Sequence, residues 1–564
     1  MFAITSMKIF YDTDAFKHTQ LSNEDVGVFF DMNDEFRYKQ YIITHHRYVN
    51  RFSYEEFIQE LYDKNEKLFR LESKNISKNM SNICTSFLIK TYKFFNHNSV
   101  GNYLSVIDIF SDIIKNNPGE EMNIYIPEQE DIIQVIKKVF KKHKVKKYNF
   151  ITGKKKRRIP LSFLKEMTLA RIFIRYLGKV RAKKVDESKD TVILEPTGSE
   201  NSADIFKNVK PVVEDYEILN YESKNEMKRL NTIPRLFSRK YHKHYSQFYT
   251  LKHFFKIRSL QKKKIKQLKN YRIKKIAYKD IDITAETQRF LEVLFKTYLQ
   301  LVIDGILMAN KICEKYKRVI FSYNENPFLE AINTNQNKNC KKYSLQYEMI
   351  YPGSAYTIIN HQKLRIKKEL VWNQYTKDCL IESYNYPEEK VEVIGNIRFP
   401  KIKKTTHENI NITFATQGEY FQAVTDFFID SCKYIDNKNL KLQIKPHPSE
   451  DYSQIKKNIL NTNIKFIKGD IREALSITDI MITYCSTVAL EAIYNNIPVI
   501  IINPYENQDP HGMPYYKHFD YFKKEKEFVR FLDSIYMNKL KSIKTPDDWI
   551  IEDFKKDKFK KIIY

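Results

Sequence analysis

Two stretches decide the fold: 441-KLQIKPHPSEDY-452 and 479-DIMITYCSTVALEAIYNNIPVIIINP-504. In each stretch, a run of β-forming residues leads into a polar turn. The first turn presents His447-Pro448, and the second presents Ser486-Thr487 at the start of a helical pattern. Backbone N–H groups and the helix dipole at such turns can hold a phosphate. The pair of turns therefore predicts a site for the phosphate of a nucleotide-activated donor.

The surrounding residues repeat a β-α rhythm. The apolar runs predict strands at 410–416, 440–444, 463–467, 479–484 and 497–502, with helical patterns between them. Continuous apolar strands that alternate with helices are typical of a parallel sheet covered on both faces. We expect a C-terminal nucleotide-sugar-binding domain at 410–564 that ends in basic helices packed onto the body. The charged stretch 400–409 is the predicted linker.

The same alternation, less regular, precedes the linker. A strand at 122–127, a helix at 128–143 and a strand near 148–152 suggest half of a Rossmann-like sheet, and 318–326 and 390–400 add strands. Residues 1–399 are therefore predicted to form a Rossmann-like domain, and the family resemblance given below implies that it is the acceptor-side domain. A basic helical insertion is expected at about 155–285, with a more acidic, loop-like part at 185–230. The fold class expected is α/β, with two facing Rossmann-like domains.

Charge and composition narrow the functional classes. The chain has 564 residues, a formal net charge of +27 and 42% apolar residues, so it can bury real cores and favours an anionic partner. Its six cysteines show no CxxC pair, which argues against a metal cluster or a disulfide framework. The N-terminus lacks a signal-peptide pattern, and no apolar run is long enough to cross a bilayer. A cytoplasmic location, with at most peripheral membrane contact, is the expectation.

Two basic tracts stand out. Residues 137–158 carry twelve Lys/Arg and residues 239–275 carry fourteen, and neither tract contains an acid. Aromatic residues interleave the second tract. Such tracts can lie on an anionic membrane surface, and the aromatics would also suit single-stranded nucleic acid. A solvated helical face in a lysine-rich chain is the alternative.

The candidate donor-site residues surround the two turns. His447 can donate to a phosphate oxygen, and Lys445 can add charge. A structural turn would explain His447-Pro448 equally well, and an ordinary N-cap would explain Ser486-Thr487. Glu491 could likewise be a carboxylate that complements the helix dipole. The remaining predicted donor contacts come from the turn after the first strand of this domain, Gln417 and Gly418.

These motifs resemble those of bacterial surface-carbohydrate transferases with the GT-B fold, in particular sialyltransferase-type and Kdo-transferase-type enzymes. The resemblance rests on KPHP at 445–448 and on Cys485-Ser486-Thr487, and it extends to SYNENPFLEA, YPGSAY and EKVEVIGNIRF between 318 and 399. It implies an inverting transfer of an acidic sugar (sialic acid, Kdo or another nonulosonate) from a CMP-sugar to a lipid-linked or membrane glycan of capsule or lipopolysaccharide. It also implies no cofactor, no metal and a site at the inner face of the membrane.

The catalytic base does not follow from the resemblance, because the acidic D/E-D/E-G motif of several sialyltransferases does not occur in this sequence. An inverting transferase needs a carboxylate or histidine to take the acceptor hydroxyl's proton. Glu325, after the predicted strand at 318–326, is the predicted base. The reserve candidates are Glu330, Glu348, Asp12 and Asp14.

Several rival functions remain. The strings Asp12-Thr13-Asp14 and Asp280-Ile281-Asp282 could indicate metal-dependent chemistry, although such triplets arise often by chance in a chain with 69 acids. A CDP-polyol phosphotransferase resembling the teichoic-acid polymerases shares the implied fold and the HP turn, and a UDP-sugar transferase shares the fold. A non-enzymatic nucleic-acid-binding protein is the third alternative, and it rests on charge alone.

Overall fold

The structure of the protein is a computed structural model. It describes residues 7–11, 26–29, 42–44, 57, 60–61, 63–69, 100–127, 130–153, 186, 188–197, 200–222, 250–297, 299–322, 327–347, 350, 365–416, 422–447, 450, 452–460, 462–484, 486–504, 519–535, 543 and 547–564.

The N-terminal part forms a five-stranded parallel sheet in the order β3-β2-β1-β4-β5. In chain order, its elements are β1 (Met7–Tyr11), β2 (Val26–Phe29), β3 (Ile42–Thr44), α1 (Glu66–Phe69), α2 (Val100–Asn116), β4 (Met122–Pro127), α3 (Glu130–Lys142) and β5 (Tyr148–Gly153). Helix α3 is amphipathic and buries Ile132, Ile136 and Phe140 against the sheet. Acids in its first turn and lysines in its last turn complement the helix dipole.

The next part contains a second sheet and a group of helices. The elements are β6 (Thr191–Thr197), α4 (Glu200–Val209), β7 (Tyr216–Glu222), α5 (Leu251–Asn270), β8 (Ala277–Tyr278), β9 (Ile281–Asp282), α6 (Thr284–Thr297), α7 (Leu299–Lys315), β10 (Arg318–Ser322), α8 (Pro327–Thr334), β11 (Lys341–Leu345), β12 (Lys368–Val371), α9 (Gln374–Tyr384) and β13 (Val391–Val393). Six parallel strands form the second sheet in the order β13-β12-β11-β10-β6-β7, and β8 and β9 pair as an antiparallel ribbon.

The loop-like prediction for 185–230 is wrong, because β6 and β7 belong to the second sheet and α4 connects them. The described part of 155–285 is thus a mixture of strands and helices, and β6 lies between β10 and β7. Pro196 lies beyond Leu194, where the pairing of β6 with β10 ends opposite Phe321, while the pairing of β6 with β7 continues to Thr197. The missing N–H of the proline therefore removes no hydrogen bond to β10.

The C-terminal part forms the third sheet, again with six parallel strands. Its elements are β14 (Ile410–Ala415), α10 (Gln422–Cys432), β15 (Leu440–Lys445), α11 (Tyr452–Ile459), β16 (Lys465–Phe466), α12 (Ile471–Ser476), β17 (Ile480–Thr483), α13 (Val488–Tyr494), β18 (Val499–Ile502), β19 (Asp520–Phe522), α14 (Glu525–Asp533) and α15 (Lys556–Ile563). The order β16-β15-β14-β17-β18-β19 is the 3-2-1-4-5-6 order of a Rossmann sheet. The predicted α/β class with parallel, Rossmann-like sheets is confirmed.

The C-terminal segment returns to the second sheet. Gly395, just after β13, has φ +79°, and a Cβ atom there would lie 2.3 Å from the Asp553 carbonyl oxygen. The Lys555 N–H donates to the Ile394 carbonyl (2.9 Å), and the Tyr343 hydroxyl donates to the Ile563 carbonyl (3.1 Å). One hydrophobic cluster accordingly contains buried residues of the second sheet, the third sheet and α15. The expectation that the tail packs back onto the body is confirmed for α14 and α15, which bury Phe528 and Phe559.

Candidate functional site

The candidate site lies where β15, β14 and β17 end. Strand order reverses between β14 and β17, and open α/β sheets bind ligands at the carboxyl ends of their strands beside such a reversal. Ala415 pairs with Lys445 across β14 and β15, and Phe414 pairs with Ile482 across β14 and β17. This register places the residues that follow the three strands at one edge of the sheet. The two polar turns predicted to hold a phosphate therefore lie at the same edge.

A compact hydrogen-bond network holds the His447 turn. The His447 backbone N–H donates to Thr416 Oγ1 (2.8 Å) and to Glu450 Oε2 (2.7 Å). The Thr416 hydroxyl donates in turn to the Glu450 carboxylate, and the Glu450 N–H donates to the His447 carbonyl (3.0 Å). Glu450 therefore contacts His447 twice, accepting from its N–H through the carboxylate and donating to its carbonyl through the backbone, ahead of α11. The backbone of the turn is therefore fixed before any ligand binds.

The imidazole of His447 projects from this fixed backbone and is exposed. Desolvation by neighbouring protein atoms lowers the pKa of His447 below 6.5, the Glu450 carboxylate raises it, and the Lys445 ammonium lowers it. The ring is therefore mainly neutral at about pH 7 when no anion is present. A phosphate placed against the ring would favour the protonated form and would strengthen the hydrogen bond.

Lys445 is buried at the end of β15, and its ammonium donates to the Pro446 carbonyl at 2.8 Å. Burial lowers the pKa of Lys445, while Asp470, Glu450 and Glu473 raise it. The amine thus supports the backbone of the turn and supplies positive charge beneath it.

The second turn presents two hydroxyl groups at the start of α13. Ser486 Oγ accepts a hydrogen bond from the Val488 N–H at 3.3 Å. Thr487 has helical φ and ψ, and its hydroxyl makes no capping hydrogen bond to the helix. Both residues are partly exposed. Serine therefore shapes the turn, and the threonine hydroxyl can donate to a ligand oxygen.

Glu491 lies one turn into α13 and faces the second sheet. Its Oε1 atom is 3.7 Å from Nη2 of Arg398, and the Arg398 guanidinium also donates to the Tyr347 carbonyl beyond β11 (3.2 Å). Burial raises the pKa of Glu491, whereas Arg398 and Arg472 lower it. Arg398 is only 8% exposed, so this pair is largely withdrawn from water. The pair joins the carboxyl end of the second sheet to the helix that follows Thr487.

A second ion pair joins the same two sheets. Arg472, in the first turn of α12, donates to Oδ2 of Asp204 in α4 at 2.7 Å. Both side chains are partly exposed, with 42% and 33% of their surface accessible. Residues from the carboxyl ends of the second and third sheets therefore meet at the candidate site.

The structure brings Lys445, His447, Ser486, Thr487 and Glu491 to one edge of the third sheet. Other predicted residues lie outside the described ranges: Pro448, Gln417, Gly418, Glu325, Glu348, Asp12 and Asp14. The reserve base candidate Glu330 is fully buried in α8.

Five further residues of the site were not predicted from the sequence: Thr416, Glu450, Arg398, Arg472 and Asp204. A signal was available for Glu450, since a carboxylate three residues after a turn residue can reach back to the backbone N–H of that residue. Thr416 directly follows β14 and could have been inferred from the parallel register. The interactions of Arg398, Arg472 and Asp204 connect residues distant in sequence, and the sequence carries no local signal for them.

The described DxD string has a structural role. Asp282 Oδ1 accepts from the Thr284 N–H at 2.9 Å at the start of α6, and hydrogen bonding to Thr284 lowers the pKa of Asp282. Asp280 lies 3.4 Å from the Lys142 ammonium. Among the described residues, no group of three or more His, Cys, Asp or Glu side chains is arranged to hold a metal ion.

Comparison with protein-family models finds no match. An uncharacterised protein of Methanocaldococcus jannaschii is 33% identical over 140 residues, which are 23% of this chain and 26% of that protein. The match thus spans about a quarter of that relative's length. This similarity does not assign the chain to a family.

Several solved structures show a distant likeness to this chain. The wall teichoic acid polymerase TagF has a TM-score of 0.34 and 11% identity, over 72% of this chain and 92% of that chain. The UDP-GlcNAc 2-epimerase of Neisseria meningitidis has a TM-score of 0.40 and 11% identity, over 66% and 98%. The S. aureus MnaA–UDP structure has a TM-score of 0.39 and 13% identity, over 66% and 95%. These values assign the chain neither to a family nor to an activity.

Proposed function

We propose that the chain is a GT-B glycosyltransferase of surface-polysaccharide synthesis that binds a nucleotide-activated donor at the ends of β15, β14 and β17. The observation that carries the proposal is the meeting of His447, Ser486 and Thr487 at one edge, beside the strand reversal of a Rossmann-ordered sheet. Ligands of open α/β sheets bind at such reversals. The fixed His447 backbone supports a preorganised phosphate contact.

In the proposed reaction, the acceptor hydroxyl attacks the anomeric carbon of the donor and the bond from that carbon to the phosphate oxygen breaks. The phosphate gains negative charge as it leaves. His447 and the Thr487 hydroxyl donate to its oxygens, and Lys445 adds positive charge from below. Preorganised donors aimed at developing charge are worth roughly 10²–10³-fold in turnover.

The acceptor's proton goes to a general base on the opposite side of the cleft. Glu325 is proposed for this role from its position after β10 in the sequence. Replacing a general base typically lowers turnover by roughly 10²–10⁴-fold. Glu325→Gln should therefore reduce transfer while leaving donor binding intact, and an unchanged turnover number would remove Glu325 from the mechanism.

The donor proposed is a CMP-linked acidic sugar, with a membrane or lipid-linked glycan as acceptor and no metal requirement. A CDP-polyol phosphotransferase would use the same edge, because its donor also presents phosphate to His447 and Thr487. In that case, the acceptor attacks phosphorus, CMP leaves and the product keeps a phosphodiester. Analysis of the product for phosphorus therefore distinguishes the two reactions.

The test is nucleotide release from a panel of CMP-sugars, CDP-polyols, UDP-sugars and GDP-sugars, each with and without EDTA. CMP release from a CMP-sugar in EDTA, lowered roughly 10²–10³-fold by His447→Ala, supports the proposal. Release only from UDP- or GDP-sugars, or activity only with metal, contradicts the CMP assignment. Absence of turnover with every donor, combined with tight salt-dependent RNA binding, would favour the nucleic-acid-binding alternative.

A further inference from the structure

Helix α5 (Leu251–Asn270) is anchored to the body through one face. His253, Ile257, Gln261, Lys264 and Leu268 follow one another at intervals of three or four residues, and all are buried. The Gln261 amide donates to the carbonyls of Phe295 (3.4 Å) and Lys296 (3.1 Å). The buried Lys264 ammonium donates to the Gln267 side chain (2.9 Å). These contacts fix the orientation of the helix.

The opposite face of α5 is basic along its length. Twenty helical residues extend for roughly 30 Å. The helix contains no acid, and its exposed residues are Lys252, Phe255, Arg258, Ser259, Lys262, Lys263, Lys266, Gln267, Lys269 and Asn270. Within the described part of the chain, Lys252, Lys262, Lys266 and Lys269 form no ion pair with an acidic side chain. These four lysines therefore present positive charge that no acidic side chain of the described residues offsets.

An aromatic ring stands in the middle of this charge. Phe255 is 63% exposed and lies on the same helical face as Lys262 and Lys266. Its ring contacts Phe254 edge-on, with centroids 5.8 Å apart, and Phe254 packs against the core. A solvated basic face gains nothing from an exposed phenyl ring. An exposed ring that packs on Phe254 and lies among lysines is suited to a surface that is both anionic and apolar.

We propose that the exposed face of α5 docks the protein on an anionic lipid bilayer, with Phe255 inserted at the headgroup boundary and the lysines paired with lipid phosphates. Basic residues near an anionic surface and an apolar side chain that enters the boundary act together in peripheral binding. The helix lies flat on the body, so its straight face fits a planar surface. Single-stranded nucleic acid could also pair with the lysines and stack on the ring, and the measurements below distinguish it from lipid.

This inference goes beyond the proposed transferase activity and is tested without donor or acceptor. The assay is co-sedimentation of the full chain with vesicles of phosphatidylcholine, with and without phosphatidylglycerol. Each basic residue contributes about a five-fold gain in affinity for an anionic bilayer. The triple substitution Lys262→Gln, Lys266→Gln and Lys269→Gln should therefore weaken binding to the anionic vesicles by roughly 100-fold.

A matched control variant distinguishes the effect of the exposed α5 face on vesicle binding from the effect of the net charge of the chain. Lys438→Gln, Lys441→Gln and Lys465→Gln remove the same charge from exposed positions on the third-sheet part of the chain. We expect this control to bind anionic vesicles within about three-fold of the unsubstituted chain, because it leaves the docking face intact. Equal losses in the two triple variants would overturn the proposal.

Phe255→Trp provides a second measurement that preserves the basic face. Its emission should shift to the blue with phosphatidylglycerol vesicles and stay unchanged with phosphatidylcholine alone, since insertion transfers the indole from water to the lipid boundary. No shift with anionic vesicles would contradict insertion. Tight binding of single-stranded RNA that requires the three lysines, without vesicle binding, would assign the face to nucleic acid instead. A retained fold is checked by circular dichroism.

Discussion

The guanidinium of Arg398 lies 3.7 Å from the carboxylate of Glu491 and donates to the Tyr347 carbonyl, so a single side chain joins the second sheet to the helix that follows Thr487. Arg398 comes just before the linker between the two sheets. Its position indicates that the relative placement of the two sheets and the geometry of the donor site are energetically coupled. A loss of this side chain should affect both stability and donor binding.

Arg398→Met should lower the free energy of unfolding by roughly 2–4 kcal/mol, because it removes the cation that pairs with the largely buried Glu491 carboxylate. Glu491→Gln in the Arg398→Met background should restore part of this loss. Chemical denaturation of the two single variants and the double variant gives the coupling energy of the pair. Additive losses would show that the two groups do not interact in solution.

Donor binding should take up a proton at His447. Desolvation holds the pKa of the free ring below 6.5, and a bound phosphate raises it, so affinity should fall as pH rises through the pKa of the bound state. Calorimetry at about pH 7 in buffers of different ionisation enthalpy measures this uptake. His447→Gln should abolish it.

His143 supplies the control for that measurement. Burial lowers its pKa as well, but the ring contacts Ser111 in α2, far from the candidate site in the chain. His143→Ala should leave the proton uptake unchanged. Equal uptake in the unsubstituted chain and in His447→Gln would contradict a phosphate contact at His447.

Gly395 should tolerate no side chain. Gly395→Ala places Cβ against the Asp553 carbonyl oxygen at a positive φ, so we expect a loss of roughly 3–5 kcal/mol in the free energy of unfolding. Gly119 is the matched control, since its φ is +86° and a Cβ there would meet nothing within 4 Å. Gly119→Ala should cost about 1–2 kcal/mol. Thermal denaturation of both variants measures the two losses in stability. Equal losses would show that the contact between Gly395 and the C-terminal segment does not restrict the side chain at position 395.

Glu369, in β12, should make the stability of the second sheet depend on pH. Burial raises its pKa to about 7, and the Ser344 hydroxyl donates to it at 3.0 Å. Because the folded pKa is above the unfolded one, its stabilising contribution is complete below the unfolded pKa and is lost as pH rises through about 7. Glu369→Gln should therefore remove roughly 2–3 kcal/mol of the stability change between about pH 5 and pH 8. Denaturation curves that keep the same pH dependence in the variant would contradict this.

The strands of the third sheet could be predicted because each is a continuous apolar run followed by a polar turn. Strands β14 to β18 all lie inside the predicted ranges or within one residue of them. Strand β6 was missed because it contains Pro196 and lies between two basic tracts that dominate the local composition. Its assignment depends on pairing with β10, more than 120 residues away in sequence, which no local pattern encodes.

The candidate site likewise contains residues that local sequence patterns predict and residues that depend on long-range packing. His447, Ser486 and Thr487 follow from local turn patterns, and the parallel register brings them together. The contact between Arg398 and Glu491 depends on how the second and third sheets pack. Side chains that join two different sheets carry no periodic signal. The predicted base, Glu325, remains a prediction from sequence.

The central claim is that the shared edge of β15, β14 and β17 holds the phosphate of a nucleotide. Titration calorimetry with CMP, CDP, UDP and GDP tests it most directly, using the unsubstituted chain, His447→Ala and Thr487→Val. We expect saturable binding of a cytidine nucleotide that is at least roughly 10-fold weaker in each variant, because each substitution removes a hydrogen bond to a charged phosphate. Absence of binding by all four nucleotides, or affinities unchanged in both variants, would contradict the account.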